Sequence, residues 1–167
     1  MKLTSFIVKT ALMHKYRFQK QYACVDEVHT GYGEMADVVV DTGMYIYEIE
    51  IKTSKSDLWR GEAIKKKHKY PLATKMYNQY YICVPTELLD EAKKWVEATN
   101  DKYGIIEFKT EPIFKNHGYQ NWKNYCYIAK RAKYLNKNYN KRLKEAIYMR
   151  LSSALITQYE RIIKGMK

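Results

Sequence analysis

The alternation of apolar and polar residues along the chain predicts a sheet built mainly from its first two thirds. Period-two alternation or short apolar runs predict strands at residues 21–29, 34–40, 45–53, 79–85 and 103–108. Helical spacing predicts helices over 3–18, from the polar segment after 53 to about Lys69, over 86–99, and near 121–135 and 139–164. A β-meander that leads into crossover helices predicts an α/β or α+β fold with a mixed sheet covered by helices.

The length of 167 residues suits one domain with a sizeable core, and no linker or internal repeat divides the chain. We expect a core over residues 1–114 and a basic pair of helices over residues 115–167, packed on the same domain. The last predicted helix carries an apolar stripe of Leu143, Ile147, Leu151, Leu155 and Ile162. The stripe predicts packing either on the sheet or on a second subunit, which would make the protein a homodimer.

The third predicted strand carries charged residues at alternate positions, in the stretch YEIEIKT. Glu48, Glu50 and Lys52 share one strand face, because strand side chains alternate with a period of two. Half-buried strands usually place simple polar residues outward. Two carboxylates and an amine on one face therefore indicate a site, although Glu50 and Lys52 taken alone would most often form an ion pair.

Asp37 joins this charged face through the hairpin predicted between the second and third strands. If residues 42–43 are the two-residue loop, Asp37 lies opposite Glu48 and diagonal to Glu50. If residues 43–44 are the loop, Asp37 lies opposite Glu50. Either register places three carboxylates on one patch of sheet, where like charges repel. The patch therefore predicts a divalent cation, and hard oxygen ligands suit Mg²⁺ or Mn²⁺.

The order of these motifs resembles the PD-(D/E)XK nuclease superfamily, which has a restriction-endonuclease-like core. The resemblance rests on MADVVV, a hairpin and YEIEIKTSKSDL, and it covers about residues 20–108. With KKKHKY, YYICVP and YGII, the chain is most similar to the MmcB-like DNA-repair nucleases and their phage relatives. The superfamily pattern of an Asp followed by (Asp/Glu)-X-Lys corresponds here to Asp37 and to Glu50-Ile51-Lys52. The first predicted helix departs from many relatives because it contains no acidic residue.

The resemblance implies a Mg²⁺-dependent endonuclease, a hydrolase that cuts DNA phosphodiester bonds in repair, recombination or phage DNA processing. Asp37 and Glu50 would bind Mg²⁺ or Mn²⁺ together with the main-chain carbonyl of Ile51. Glu27, on the first predicted strand, would replace the acidic residue of the first helix as a third metal ligand. Lys52 would orient the attacking water or stabilise the charge that develops on phosphorus.

Glu48 has two interpretations within this pattern. It could serve as an extra metal ligand, or it could point to solvent at the end of the strand. Members of the superfamily seldom need an acidic residue at this position, so we expect Glu48 to face solvent.

Positive charge is concentrated at the C-terminal end of the chain. Residues 115–167 contain 13 Lys and Arg against 2 Asp and Glu, which accounts for +11 of the net charge of +12. This asymmetry favours a polyanionic partner, and nucleic acid before a membrane surface. The predicted DNA-contacting residues are Lys65, Lys66, Lys67, His68, Lys69, Lys130, Arg131, Lys133, Lys137, Lys141 and Arg142. For the segment 65–69, an exposed basic helix end is an equally good interpretation.

The cysteine and hydropathy patterns argue against several other classes of protein. The 3 cysteines are odd in number and scattered, which disfavours a disulfide framework or a zinc site and indicates a reducing compartment. No apolar run approaches the roughly 20 residues of a membrane span, and the first residues do not resemble a signal peptide. We expect a cytoplasmic protein without a membrane partner, in a bacterial cell or a phage-infected host.

Three hypotheses about function follow from the sequence. The first is the Mg²⁺-dependent nuclease. The second is a catalytically inactive DNA-binding protein that keeps the nuclease fold, motivated by the missing acidic residue in the first helix. The third is a structural or oligomerisation protein whose positive charge serves only solubility.

Overall fold

The fold is a mixed six-stranded sheet with helices on both faces. The computed structural model describes residues 4–31, 34–62, 65, 68, 76–109 and 126–165. Within these residues the strands lie side by side in the order of the chain. Their bounds are Ala23–Gly31 (β1), Glu34–Asp41 (β2), Ile46–Ile51 (β3), Gln79–Pro85 (β4), Gly104–Phe108 (β5) and Cys126–Lys130 (β6).

The pairing of the strands changes from antiparallel to parallel and back across the sheet. β1, β2 and β3 form an antiparallel meander. β4 runs parallel to β3 and to β5, and β6 returns antiparallel to β5. Parallel neighbours need crossover connections, and a 3₁₀ turn at Thr86–Leu88 with helix α2, Leu89–Thr99, lies on the second of them. The predicted mixed sheet of the α+β class is therefore confirmed.

Helix α1, Ser5–His14, covers one face of the sheet. It continues as a π-helical turn at Lys15–Gln19. Val8 and Leu12 of α1 are buried in one cluster with Val38 of β2 and Ile49 of β3. The apolar spacing of α1 thus places its buried side against the meander.

Helices α2 and α3 cover the opposite face, and α3 spans Lys141–Gly165. Trp95 of α2 and Leu143 of α3 are buried in one cluster with Ile46 of β3. Because strand side chains alternate, Glu48 and Glu50 share the face of Ile46. The charged positions of β3 therefore lie beneath this helical layer.

The C-terminal segment differs from the predicted pair of helices. Residues 126–130, expected in a helix near 121–135, form β6, and residues 131–140 are not helical. Residues 121–125 lie outside the described part of the chain. Pairing of β6 with β5 overrides the helical spacing of tyrosines and lysines in this segment. The expected basic helical pair is thus a strand of the sheet followed by α3.

The apolar stripe of α3 divides into a buried and an exposed half. Leu143 and Ile147 are buried in the core, and Leu151 is partly buried against it. Leu155 and Ile162 are 50% and 52% exposed. The expected packing on the sheet therefore holds for the first half of the helix.

The helix predicted between residue 53 and about Lys69 is described in part. A π-helical turn spans Asp57–Glu62, with Leu58 and Glu62 buried. Of the residues that follow to Lys69, residues 65 and 68 are described. Across the described ranges, no helix is both long and apolar enough to cross a membrane.

Candidate active site

The β2–β3 hairpin sets the position of the site. Val38 pairs with Ile49 and Asp41 with Ile46, which leaves residues 43–44 as the two-residue loop. Gly43 has a φ of +87°, in the left-handed region that tight turns use. The second of the two predicted registers is therefore confirmed. Asp37 and Glu50 come one position beyond Val38 and Ile49, the last pair between β2 and β3.

Asp37 bonds to β3 through its side chain. The Ile51 N–H donates to Asp37 Oδ2 at 2.8 Å, where the backbone ladder between β2 and β3 has ended. Burial, and next the negative charge of Glu50, raise the pKa of Asp37 above its ordinary value. The two carboxylates thus repel each other across the end of the hairpin.

Glu50 is buried and forms ion pairs with two lysines. The residue is 1% exposed. Its Oε2 lies 2.5 Å from Lys65 Nζ and 3.7 Å from Lys52 Nζ. A buried carboxylate needs such compensation, because an unpaired charge in the interior is costly.

Lys52 remains charged although it is 6% exposed. Its Nζ lies 2.9 Å from Glu62 Oε2 and 3.6 Å from Asp57 Oδ1. Burial disfavours the ammonium, but Glu62 and Glu50 outweigh burial and raise the pKa of Lys52. The lysine is therefore a fixed cation at neutral pH and not a proton acceptor.

Glu62 is a part of the site that sequence reasoning missed. It is fully buried, and its Oε1 accepts a hydrogen bond from the Tyr80 hydroxyl at 2.6 Å. His68 Nε2 lies 2.7 Å from the same oxygen, and Lys65 Nζ lies 2.9 Å from Oε2. The signal for Glu62 was its position four residues after Leu58, which places both on one side of a helical turn.

Glu48 does not face solvent, so that expectation is wrong. The residue is fully buried. It pairs with Val39 of β2 and Tyr80 of β4 in the middle of the sheet. The reason is that β3 is an interior strand whose Glu48 face is covered by the helical layer.

Glu27, the predicted third metal ligand, is engaged by cations of two helices. Its carboxylate lies 3.1 Å from Lys9 Nζ of α1 and 3.3 Å from Arg150 Nη2 of α3. The hydrogen bond from Lys9 holds the pKa of Glu27 below its ordinary value. Among the described contacts, none joins Glu27 to Asp37 or Glu50.

The residues that could hold a metal are therefore Asp37 and Glu50, with the carbonyl of Ile51. No group of three or more His, Cys, Asp or Glu suited to a metal is found within the residues that the structure describes. The oxygen donors nevertheless fit a hard divalent cation. Burial, and next repulsion from Glu50, raise the pKa of Asp37, and the Lys65 ammonium contacts Glu50, so this position attracts a cation.

The predicted DNA-contacting residues fall into different environments. The His68 side chain is 3% exposed and bonds to Glu62 and to the Tyr103 hydroxyl, a position unsuited to direct phosphate contact. Lys66, Lys67 and Lys69 lie outside the described residues. Lys130 Nζ donates to the carbonyls of Asp101 and Tyr103, and exposed Lys133 pairs with Asp101 at 2.8 Å. Lys65 is partly buried, and its Nζ pairs with Glu50 and Glu62 instead of facing a phosphate. The other four predicted residues are exposed, namely Arg131, Lys137, Lys141 and Arg142.

Comparison with known proteins shows the fold of the chain. No protein-family model and no curated protein matches the sequence. A solved structure, the SPO1766 protein of unknown function from Silicibacter pomeroyi, is similar with a TM-score of 0.65 and 17% identity. The match covers 99% of this chain and 97% of that one. The two proteins therefore share an architecture over nearly their whole lengths.

Proposed function

We propose that this chain is a divalent-metal-dependent nuclease that hydrolyses DNA phosphodiester bonds, as the PD-(D/E)XK resemblance implies. One observation carries the proposal. Asp37 and Glu50 meet at the end of the β2–β3 ladder, beside the buried ammonium of Lys52. Two neighbouring carboxylates next to a fixed cation form an arrangement that a metal ion would stabilise and that suits phosphoryl chemistry.

Asp37 and Glu50, with the Ile51 carbonyl, would hold Mg²⁺ or Mn²⁺. When bound, the ion polarises a phosphate oxygen and lowers the pKa of a bound water. These three groups would favour a hard cation, because they offer oxygen atoms and no thiolate or imidazole.

Lys52 acts as an electrostatic residue in this proposal. Its raised pKa keeps the ammonium charged, so it donates hydrogen bonds and does not remove a proton from water. Glu62 fixes its Nζ at 2.9 Å. A fixed ammonium stabilises negative charge that develops on a phosphate, at little cost in reorganisation during the reaction.

DNA is the proposed partner, and the positive charge of the C-terminal third supplies the attraction. Arg131, Lys137, Lys141 and Arg142 are exposed on the segment after β6 and at the start of α3. Each basic residue that neutralises a phosphate releases counterions, which drives association independently of sequence.

A second candidate is a DNA-binding protein that keeps the fold without the activity. The observation that favours it is the balance of charge at the site. Lys65 and Lys52 together contact Glu50 and Glu62, so the carboxylates are largely compensated by the chain itself. A protein that never binds metal could keep such a cluster for stability alone.

Titration calorimetry with Mn²⁺ separates the two candidates. We expect the wild type to bind Mn²⁺, and Asp37→Ala and Glu50→Gln to lose most of the affinity because each removes an anionic oxygen donor. Glu107→Gln, an exchange on strand β5, which β4 separates from β3, serves as the control. A wild type that binds no Mn²⁺, or that binds it equally in all variants, would exclude the metal site and favour the second candidate.

A further inference from the structure

Lys65 bridges the two buried carboxylates of the candidate site. Its Nζ lies 2.5 Å from Glu50 Oε2 and 2.9 Å from Glu62 Oε2. The Lys65 side chain is 23% exposed, whereas those of Glu50 and Glu62 are 1% and 0% exposed. The ammonium therefore occupies, on Glu50, a position that a metal ion would take.

Glu62 is held through both of its carboxylate oxygens. Tyr80 and His68 contact its Oε1, and Lys52 and Lys65 contact its Oε2. Hydrogen-bonding groups thus hold one oxygen, and two ammonium ions hold the other. Glu62 is thus suited to anchor lysines and not to ligate a metal.

On the basis of the proposed nuclease function, we propose that a divalent cation displaces the Lys65 ammonium from Glu50, and that Glu62 holds the displaced ammonium. We call this the cation exchange at Glu50. In the metal-free protein, Lys65 neutralises Glu50. When a divalent cation takes Glu50, Lys65 releases that oxygen and stays paired with Glu62. The exchange needs little movement, because Lys65 Nζ already contacts both carboxylates. Glu62 is a positioning residue, since it sets where the two lysines rest.

The exchange predicts opposite changes in metal affinity when the charge of Lys65 or that of Glu62 is removed. Removing the charge of Lys65 removes a competitor for Glu50 and a repulsive neighbour of the bound ion, so metal affinity increases. Removing the charge of Glu62 leaves Lys65 with Glu50 as its remaining acidic partner among these contacts, so metal affinity decreases. A purely structural role would weaken metal binding in both cases, because each change would loosen the site.

Mn²⁺ calorimetry on Lys65→Met, Glu62→Gln and wild type tests the exchange without requiring activity. We expect about tenfold tighter binding for Lys65→Met and about tenfold weaker binding for Glu62→Gln, each a change of roughly 1.4 kcal/mol. Lys65→Arg keeps the charge and should bind as the wild type does. Saturating Mn²⁺ should raise the melting temperature of Lys65→Met more than that of the wild type, because a tighter ligand stabilises more.

The outcomes distinguish this inference from the proposed function. Glu50-dependent Mn²⁺ binding that is unchanged or weaker in Lys65→Met would overturn the exchange and leave the metal site intact. A wild type that binds no Mn²⁺ would overturn both. If Lys65→Met does not fold, Lys65→Gln decides in the same titration: tighter binding supports the exchange, and equal or weaker binding overturns it.

The exposed half of α3 carries a second, independent feature. Five residues follow one another at intervals of four, three, four and three, the heptad spacing of a coiled-coil seam. This α3 seam consists of Tyr148, Ser152, Leu155, Tyr159 and Ile162. By contrast, Leu143, Ile147 and Leu151, which pack towards the sheet, are spaced by four. The apolar period thus changes where the helix leaves the core.

We infer that the α3 seam pairs with the same seam of a second copy of this chain. Tyr148, Leu155, Tyr159 and Ile162 are 49–57% exposed, and the flanking Met149, Ile156 and Ile163 are 58–70% exposed. At about 100 Å² each, half the area of a large side chain, these seven offer roughly 700 Å² per copy. A standard interface buries about 800 Å² per partner, so the seam together with its flanking residues nearly suffices for a stable dimer.

Light scattering after size exclusion, over a wide concentration range, tests the pairing. We expect the wild type to have twice the chain mass of 20.0 kDa. Leu155→Glu with Ile162→Glu should be monomeric with unchanged circular dichroism, while Ser153→Glu with Thr157→Glu, outside the seam, should remain dimeric. A monomeric wild type, or a dimer that survives the seam variant, would overturn the inference. A monomeric wild type that the seam variant destabilises would show that another part of the chain covers the seam.

Discussion

Lys52, the residue that follows β3, forms an ion pair with Glu62 of the π-helical turn. Its Nζ lies 2.9 Å from Glu62 Oε2, and the two side chains are 7% and 0% exposed. The pair links the end of β3 to the crossover segment that follows it. The lysine expected to act on phosphate is therefore positioned by a residue outside the recognised motif. Such a pair specifies geometry more than it adds stability, because desolvation offsets much of the attraction.

Glu62→Ala should destabilise the protein by about 3–5 kcal/mol, because it leaves Lys52 and Lys65 without their shared carboxylate in the interior. Urea unfolding measures this free energy. The double variant Glu62→Leu with Lys52→Met should recover part of the loss, since it removes both charges. A cost below about 1 kcal/mol for Glu62→Ala would show that the buried pairs do not hold the site together.

The raised pKa of Asp37 predicts a pH-dependent stability in the metal-free protein. A carboxyl whose pKa is higher in the folded than in the unfolded protein stabilises the fold while it is protonated. This contribution is complete below the pKa of the unfolded state and is lost as pH rises through the pKa of the folded state. Asp37→Asn does not ionise, so the variant does not lose this stability as pH rises. The stability of Asp37→Asn relative to wild type should therefore increase as pH rises from below 3.8, the ordinary Asp pKa, towards neutrality.

Asp90 provides the control with the opposite sign. A hydrogen bond from Lys93 lowers the pKa of Asp90, so its contribution is present above the ordinary pKa and is lost as pH falls. Asp90→Asn should accordingly lose stability relative to wild type as pH rises. Urea unfolding in a chelating buffer measures both series. A flat difference between Asp37→Asn and wild type would mean that Glu50 and burial do not perturb Asp37.

The exposed basic residues after β6 predict the salt dependence of DNA binding. Replacing Arg131, Lys137, Lys141 and Arg142 with Gln should weaken binding to every duplex sequence. The slope of log affinity against log salt should become shallower by up to about 3.6, at about 0.9 for each lost contact. Fluorescence anisotropy with labelled duplexes measures the slope.

Lys93→Gln with Lys94→Gln, on the exposed side of α2, is the matched control and should leave the slope close to that of wild type. If the four-residue variant and wild type give the same slope, these residues do not contact phosphate, and DNA approaches the protein along another surface.

Sequence reasoning predicted the meander, the parallel strands and the class of fold because their signals are local. Period-two alternation located β2 and β3, and the short apolar run YYICVP located β4, which is buried along its whole length. The residues of the hairpin limited the register to two choices. The structure selects the register that brings Asp37 to Glu50.

The features that sequence reasoning missed depend on tertiary contacts. The segment after 126 has helical spacing, but its pairing with β5 makes it a strand. Glu48 appeared to lie at a strand end, yet β4 and the helices bury it. Glu62 and His68 belong to the site through bonds between distant elements, such as Tyr80 to Glu62 and His68 to Tyr103. No local pattern encodes such partners.

Cleavage of labelled DNA by purified wild type, Glu50→Ala and Lys52→Ala tests the central claim most directly. The substrates should include duplex, single strand, flap and junction, each with Mg²⁺ or Mn²⁺ and with chelator. We predict metal-dependent cleavage of at least one substrate by the wild type, and its loss in both variants under conditions where circular dichroism shows that they are folded and anisotropy shows that they bind DNA. Equal cleavage by wild type and Glu50→Ala, or no cleavage of any substrate by the wild type, would contradict the account.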